Sequence, residues 1–205
     1  MDKNKEILSF HSIYLQFLDN LHFIYSIRPL IYKVIMKSKT AKETTAITTH
    51  IVLPNDTNPL GNLFGGQLLA WMDVIASVSA QRHCRRVVVT ASVNNVSFRE
   101  PILQSSIVTL EAKVSRAFSS SMEVFVDVYI EDPVTGLRNK SNEAIYTFVA
   151  VDQMGVPIQV PELIPESQEE NERFAGALRR KQLSLILAGK LNPSEANELK
   201  ALFFT

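Results

Sequence analysis

The segment from Gln67 to Ala80 restricts the fold more than any other part of the chain. After Gln67 its only polar residues are Asp73, Ser77 and Ser79. A helix that is apolar on nearly every face belongs inside a core, so the remaining elements must wrap around it. An aspartate in such a helix is costly unless another group pairs with it or uses it. No residue one turn away along the helix offers Asp73 an ion pair.

A turn-rich loop leads from Asn58 to a Gly65-Gly66 pair at the start of this helix. Glycines there leave unpaired N–H donors that another group can approach closely, and the helix dipole strengthens them. A carbonyl oxygen at these donors would be polarised as in an oxyanion hole. Asp73 follows on the same face two turns later, so its carboxylate could activate water or attack the carbonyl. The residues alone leave an equal alternative, in which the glycines allow tight packing and Asp73 bonds a distant arginine or serine.

Five other segments are rich in β-branched residues or alternate at period two, which predicts strands. Short polar turns separate the later ones, including a run of three serines from Ser119 to Ser121. An antiparallel sheet curled around one buried helix is the natural arrangement, so we expect an α+β fold. The predicted strands are Thr44–Leu53, Val87–Phe98, Ser106–Phe118, Met122–Glu131 and Glu143–Asp152.

The two ends of the chain differ in character from this centre. Residues 1–35 have apolar residues at helical spacing and predict an amphipathic helix, while the compact domain is expected to begin near Met36. Ser167-x-x-Glu170 is a capping box that opens a later helix, and Asn192-Pro193 opens a short last one. We therefore divide the chain into an N-terminal extension (1–39), a central domain (40–160) and a C-terminal helical extension (161–205).

Composition excludes several classes of function. The chain of 205 residues carries 21 basic and 21 acidic residues, which argues against nucleic acid as a partner. One cysteine, Cys84, rules out an internal disulfide framework and suits a reducing compartment. No secretory signal and no apolar run long enough to span a membrane is present, and the histidines lack metal-ligand spacing. We expect a cytoplasmic protein without a metal or a membrane partner.

A family resemblance rests on one pattern, Asn58-x-x-Gly61-Asn62-x-x-Gly65-Gly66-x-Leu68-x-x-x-x-Asp73. It resembles the signature of hotdog-fold acyl-CoA thioesterases of the ACOT type. The resemblance extends in order over roughly residues 44–182, through segments that resemble the family's next strand, its central hairpin and its C-terminal part. These segments are 82–98, 116–123 and 160–174.

The resemblance implies an acyl-CoA hydrolase that releases a free fatty acid and coenzyme A. Asp73 would be the general base or nucleophile, and Asn62 would orient the thioester carbonyl or the water. The family shares its site between subunits, so Asn62 of one copy would act with Asp73 of another, in a homodimer built into a trimer of dimers. Coenzyme A would be part of the substrate, with no separate cofactor.

The resemblance also implies contacts to coenzyme A from two strand segments and one arginine of the C-terminal helix. Strand edges can pair with the amide-bearing pantetheine arm, and a guanidinium fits phosphate. Helix-terminal arginines are also common without any ligand. The predicted contacts are Ala91, Ser92, Val93, Ser120, Ser121 and Met122, with Arg179 or Arg180 at the phosphate.

Two other functions stay open at this level. A hydratase acting on acyl thioesters would need a catalytic histidine, and none occurs between Ile51 and Arg82. A non-hydrolytic acyl-CoA sensor would need an output element, for which only residues 1–35 are available.

Overall fold

One antiparallel sheet of five strands forms the body of the protein. The computed structural model describes residues 37–98 and 100–202. The predicted helix in residues 1–35 therefore lies outside the described residues. The five strands are β2 (Ala46–Ile51), β3 (Val87–Ser97), β4 (Ile107–Ala117), β5 (Ser121–Glu131) and β6 (Arg138–Val151). They lie side by side in the order β2-β4-β5-β6-β3.

Alternating burial along β4 shows why this sheet has an inner and an outer face. Val108, Leu110, Ala112 and Val114 are completely buried, whereas the three residues between them are partly exposed. Successive side chains of a strand point to opposite faces, so the apolar set lies on one side. The predicted α+β arrangement of a sheet around one long helix is confirmed.

Helix α2 (Gly65–Cys84) contributes that long helix, and it begins at the predicted glycine pair. Leu68, Met72, Ile75 and Ala80 lie in the core with the inner face of the sheet. The opposite side of the helix is open, because Val74 is 64% exposed. The expectation of burial on every face was therefore wrong for the single chain. The apolar residues exceed what one sheet can cover, which leaves an apolar strip on the surface.

Strand β3 ends up at the edge of the sheet beside β6, although β4 follows it in sequence. The chain between the two strands, described at residues 98 and 100–106, makes this crossing. Val87, Val89 and Val93 on β3 are 65%, 48% and 43% exposed. An edge strand presents unpaired backbone groups that can pair with another chain. Here the open edge also carries exposed valines.

The start of the described chain differs from the predicted strand. The predicted strand starts at Thr44, but Thr44 is the last residue of helix α1 (Ala41–Thr44), which a capping box of Thr40 and Glu43 opens. Strand β2 therefore begins only at Ala46. Thr44 then bonds into the sheet, accepting from the Val114 N–H at 3.0 Å. Strand β1 (Lys39–Thr40) pairs in parallel with β7 (Leu163–Ile164).

The C-terminal segment lies on the outer face of the sheet. Helix α3 (Gln168–Leu187) begins at the predicted capping box, and it is followed by a 3-10 turn (Pro193–Glu195) and helix α4 (Asn197–Lys200). Arg173 and Arg180 of α3 pair with carboxylates of β5. The predicted capping box and the hairpin at residues 119–121 are confirmed. Within the described residues no helix is long and apolar enough to cross a membrane.

Candidate active site

Helix α2 places Asp73 against strand β3, where Thr90 is its partner. The Thr90 hydroxyl donates to Asp73 Oδ1 over 2.9 Å. Asp73 is half-buried, and its other oxygen, Oδ2, accepts no hydrogen bond from the described residues. Thr90 therefore orients the carboxylate and leaves one oxygen available to a ligand or water.

Tyr146 adds a buried wall near this carboxylate. The residue is 1% exposed, and its hydroxyl donates to the Leu69 carbonyl over 3.1 Å. Burial, together with the negative charge of Asp73, raises the pKa of Tyr146 to about 12. The phenol is therefore protonated at neutral pH, and it acts as a fixed neutral neighbour of the charged Asp73.

The glycine pair allows the tight packing that the sequence left open, and its backbone donors stay unpaired among the described residues. A Cβ on Gly65 would meet the Phe98 ring at 3.4 Å, and one on Gly66 would meet the Phe64 ring at 2.7 Å. The absence of side chains therefore lets two aromatic rings pack at the helix start. The N–H groups of both glycines donate to none of the residues that the structure describes, and no side chain caps the helix. The donors of the predicted oxyanion hole are thus available.

A cavity of about 290 Å³ opens beside the helix start. Asn58 Oδ1 shapes the loop by accepting from the backbone N–H groups of Leu60 at 2.9 Å and Asn62 at 3.2 Å. The side-chain amide of Asn62 makes no hydrogen bond to a described residue. The cavity combines amides with an apolar wall, and its lining residues are Asn58, Asn62, Leu63, Gly65, Leu68, Phe98, Glu100, Pro101, Ile102 and Asn142.

The structure does not bring Asp73 into this cavity, whose lining omits it. Asp73 follows Gly66 by two turns of α2, a separation of roughly 10 Å along the helix axis. The asparagines and the aspartate of one chain therefore occupy two neighbouring regions. A reaction that needs both at one carbonyl requires a second copy or a large rearrangement.

The two strand segments predicted to contact coenzyme A come to the same level of the sheet. Ser121 pairs with Val149 of β6, and Val149 pairs on its other side with Val89 of β3. Ala91 is the extra residue of a bulge, because Thr90 and Ser92 pair with consecutive residues of β6. The side chain of Met122 is completely buried, so only its backbone could touch a ligand.

The two arginines predicted at the phosphate have different surroundings. Arg180 donates through Nε and Nη2 to the carboxylate of Glu123, at 2.9 and 2.7 Å. Glu123 is 5% exposed and also accepts from the Ser115 hydroxyl at 2.6 Å. Arg179 has no hydrogen bond or ion pair to any described residue. Arg180 therefore stabilises the docking of α3, which sequence analysis could not anticipate.

Sequence analysis missed Thr90, Tyr146 and Phe98 as parts of this region. Thr90 and Phe98 fall within residues 82–98, which the sequence marks only by their resemblance to a family strand. A threonine within a run of valines was the available signal, because its hydroxyl needs a partner when it faces a helix. Nothing in the local sequence distinguishes Tyr146 from a core tyrosine.

Comparison with known proteins agrees with this architecture. Residues 60–137 match the family model of the thioesterase superfamily. The chain is 46% identical over 134 residues to the uncharacterized acyl-CoA thioester hydrolase YkhA of Bacillus subtilis, covering 65% of this chain and 78% of that protein. It is 35% identical to the cytosolic acyl coenzyme A thioester hydrolase of Rattus norvegicus, of which the match covers only 33%.

Solved structures give the same result for the fold. An acyl-CoA hydrolase from Bacillus cereus superposes with a TM-score of 0.72 at 36% identity, covering 82% of this chain and 100% of that one. An acyl-CoA hydrolase from Staphylococcus aureus, solved with butyryl coenzyme A and coenzyme A, gives 0.70 at 34% identity, covering 75% and 96%.

Variants of the Staphylococcus aureus enzyme offer a spacing that this chain repeats. Three separate variants have alanine in place of one residue each: an asparagine, an aspartate fifteen residues later, and a threonine seventeen residues after the aspartate. Asn58, Asp73 and Thr90 have this spacing. The agreement favours Asn58, four residues before the predicted Asn62, as the counterpart of that asparagine. The fold, the helix acid with its threonine, and the 46% identical relative together establish that the chain belongs to the hotdog-fold acyl-CoA thioester hydrolase family of the thioesterase superfamily.

Proposed function

We propose that this protein hydrolyses acyl-CoA thioesters to a free fatty acid and coenzyme A, in a site shared by two copies of the chain. The observation that carries the proposal is the half-buried Asp73 held by Thr90 on an open edge strand. The Staphylococcus aureus relative, solved with butyryl coenzyme A, supports acyl-CoA as the substrate class.

In this mechanism Asp73 acts as the general base. Thr90 holds Oδ1, and Oδ2 accepts a proton from a water molecule that attacks the thioester carbonyl carbon. The N–H groups of Gly65 and Gly66 of the second copy, beside the cavity that its asparagines line, stabilise the carbonyl oxygen as it gains negative charge. The carbon–sulfur bond then breaks, the thiolate leaves, and the proton held by Asp73 returns to the solvent or the thiol. A thiolate is a good leaving group, so the step requires no strong general acid.

An asparagine at the cavity completes the site by orienting the carbonyl or the water. Asn62 was predicted for this role, and Asn58 is favoured by the spacing in the Staphylococcus aureus enzyme. The carbonyl oxygen of Asn58 is already used in the loop, so its amide N–H groups are the part that would face a substrate. We assign the role to Asn58, with Asn62 as the matched comparison.

The proposal uses two copies because the cavity that Asn58 and Asn62 line omits Asp73, which follows Gly66 by about two helical turns. The open edge of β3, the exposed Val87 and the exposed Val74 of α2 supply a surface on which a second copy would pair. A hexameric acyl-CoA thioesterase of known structure superposes on this chain with a TM-score of 0.69, and the match covers 100% of its own length. A homodimer assembled into a trimer of dimers is thus our proposed state, in which coenzyme A is substrate and no cofactor is resident.

A cytoplasmic location also belongs to the proposal. The single cysteine, Cys84, is buried and free, as a reducing compartment permits. The mammalian relatives named cytosolic acyl coenzyme A thioester hydrolases agree with it.

The first experiment is a thiol-release assay on acyl-CoAs of graded chain length, comparing wild type with Asp73→Asn. We expect loss of at least about a hundredfold in kcat, the usual scale for removing a general base. Equal rates would exclude Asp73 as the base, and a wild-type protein that binds acyl-CoA but releases no thiol would favour a sensor. Single-turnover hydrolysis in heavy-oxygen water should leave the Asp73 carboxylate unlabelled, whereas label there would indicate direct attack.

A complementation experiment tests the shared site. Asp73→Asn and Asn58→Ala should each be inactive, and their co-expression should restore about a quarter of wild-type activity, because half of the dimers are mixed and each has one intact site. Co-expressing Asp73→Asn with Asn62→Ala instead, and comparing the recovered activity, shows which of the two asparagines acts. No recovery with either partner would refute a site built from two chains.

A further inference from the structure

We infer that the cavity beside the start of α2 receives the acyl group, and that Asn142 on its floor selects short acyl groups that carry an uncharged hydroxyl or keto oxygen. The inference rests on the proposed function and narrows its substrate class. It gives a role to Asn142, which the sequence did not single out.

Burial divides the lining of this cavity into a rim and a floor. The rim is half-buried or exposed and consists of Asn58, Asn62, Gly65, Phe98, Glu100 and Pro101. The floor is buried and consists of Leu63, Leu68, Ile102 and Asn142. A group that enters past the rim therefore meets three aliphatic side chains and one carboxamide.

The rim carries the groups that the proposed mechanism assigns to the thioester carbonyl. With the carbonyl at the Gly65 N–H and the Asn58 amide, one of its two substituents can extend inward over the floor. The cavity of about 290 Å³ is close to the lower end of the range for small-ligand sites, about 300–1,000 Å³. Coenzyme A is much too large for it. The acyl group is therefore the part that enters, and a short one fits.

Asn142 is the polar member of an otherwise apolar face of β6. It is 2% exposed, and it pairs across the sheet with the completely buried Val128, so its side chain lies on the inner face. The alternate positions that follow it are aliphatic or aromatic and buried, namely Ala144, Tyr146, Phe148 and Ala150. Burying an amide is costly unless hydrogen bonds compensate for it. Packing alone would favour an apolar residue here, so the amide indicates a use for its hydrogen bonding.

A carboxamide can bind a ligand in addition to the protein around it. It has two N–H donors and an oxygen with two acceptor positions. A hydroxyl of the acyl group can donate to the Asn142 oxygen or accept from its N–H, and a keto oxygen can accept. A methyl group in the same place would leave the amide against carbon. Sites that hydrogen-bond a substrate oxygen discriminate against the analogue that lacks it.

Glu100 restricts the acyl group further. Among the described residues that line the cavity, Glu100 alone is charged, and it lies on the rim. Its carboxylate repels an acyl group that ends in a second carboxylate, because like charges interact unfavourably at a partly desolvated entrance. The favoured oxygen is therefore an uncharged one.

The test uses two pairs of CoA thioesters in which an oxygen-bearing group replaces a branched methyl group of similar shape. The first pair is 3-hydroxybutyryl-CoA and isovaleryl-CoA, and the second is 4-oxopentanoyl-CoA and 4-methylpentanoyl-CoA. The ratio of kcat/KM within a pair is measured for wild type and for Asn142→Leu, whose side chain has nearly the same shape without the amide. In at least one pair the ratio should favour the oxygenated thioester about tenfold more in wild type, the scale of one hydrogen bond.

Two further variants separate recognition from folding. Asn142→Ala also removes the amide, should lose the preference in the same way, and decides the question if the leucine variant does not fold. Ser141→Ala removes a hydroxyl from the neighbouring buried residue, which is outside the cavity lining, and should leave the ratios unchanged. Ratios that are equal in wild type and the Asn142 variants for both pairs would overturn the inference. An equal change in Ser141→Ala would overturn it too.

Binding in the Asp73→Asn background separates this inference from the proposed function. Calorimetry should give the oxygenated member of a pair a Kd about tenfold lower than that of its methyl counterpart, and adding Asn142→Leu should remove the difference. This binding preference without any turnover by wild type would refute the hydrolase and support the acyl pocket. Hydrolysis of all four thioesters without a preference that depends on Asn142 would refute the pocket and leave the hydrolase in place.

Discussion

The guanidinium of Arg180 on helix α3 and the carboxylate of Glu123 on strand β5 form a two-point ion pair, with contacts of 2.7 and 2.9 Å. Glu123 is 5% exposed, so the pair lies where the helix meets the sheet. A second pair, Arg173 with Asp127, joins the same helix and strand two helical turns earlier. Burial opposes ionisation of Asp127, but hydrogen bonds from Arg173 and Lys140 outweigh it and lower its pKa. The two pairs fix how α3 lies on the outer face.

Replacing Arg180 with methionine should destabilise the fold by about 3 kcal/mol, because a buried carboxylate would lose its partner. Chemical denaturation measured at pH 7 provides the free energy of unfolding. Arg138→Met is the matched control, since its pair with Glu111 is more exposed, and it should cost about 1 kcal/mol or less. Similar losses for both variants would mean that burial of Glu123 does not decide the effect.

Gly176 is small because Arg180 passes over it. A Cβ at Gly176 would lie 2.7 Å from Arg180 Nη1, and Arg180 cannot move away without losing its contacts to Glu123, so Gly176→Ala should destabilise the wild type despite the better helix propensity of alanine. In an Arg180→Met background the obstacle is gone, and the same substitution should stabilise by up to about 1 kcal/mol. A double-mutant cycle of unfolding free energies checks this reversal of sign. The same sign in both backgrounds would contradict the contact.

Thr90→Val keeps the shape of the side chain but removes the hydroxyl that orients Asp73. We expect kcat to fall about tenfold or more while the KM for acyl-CoA changes little, because the carboxylate loses its hydrogen bond and not a substrate contact. Thr90→Ser restores the donor and should recover most of the rate. Steady-state kinetics on one acyl-CoA, with thermal melting to verify folding, gives the comparison. Equal kcat values for valine and serine would show that the hydroxyl is not needed.

Local pattern predicted the fold well because its signals lie within single elements. Alternation located nine of the ten strand ends to within two residues and the start of β6 to within five, and Gly65 was correctly placed at the start of the central helix. Asp73 was singled out because an acid among apolar residues is visible without knowing any neighbour.

The partners of these residues could not be predicted because they depend on strand order. Thr90 reaches Asp73 only because β3 crosses to the far edge of the sheet, which no local signal specifies. The resemblance implies Arg179 or Arg180 at a phosphate. The partner of Arg180 could not be predicted, because Glu123, 57 residues away, is in the sequence only one acid of an alternating strand. The distribution of Asn58 and Asp73 over two regions likewise depends on three-dimensional packing.

The ring of His83 lies completely buried on helix α2, and its surroundings favour the neutral form. Nε2 lies 2.8 Å from the Pro161 carbonyl, which can only accept, so Nε2 carries the proton. Nδ1 has no hydrogen-bond partner among the described residues. Burial, more than any other cause, lowers the pKa of His83 below its usual 6.5, although the Pro161 carbonyl acts against it.

Protonating His83 must therefore cost stability in acid. Above pH 6.5 the ring is neutral in both folded and unfolded chains, and its contribution is constant. Below pH 6.5 the unfolded chain binds a proton that the folded one refuses, so the free energy of unfolding should fall by up to about 1.4 kcal/mol per pH unit until the lower folded pKa is reached. His83→Gln keeps a donor for Pro161 and should flatten this slope between pH 6.5 and 5. His50, half-buried with its pKa also lowered by burial, is the control, and His50→Gln should flatten the slope less. An unchanged slope in His83→Gln would place the acid sensitivity elsewhere.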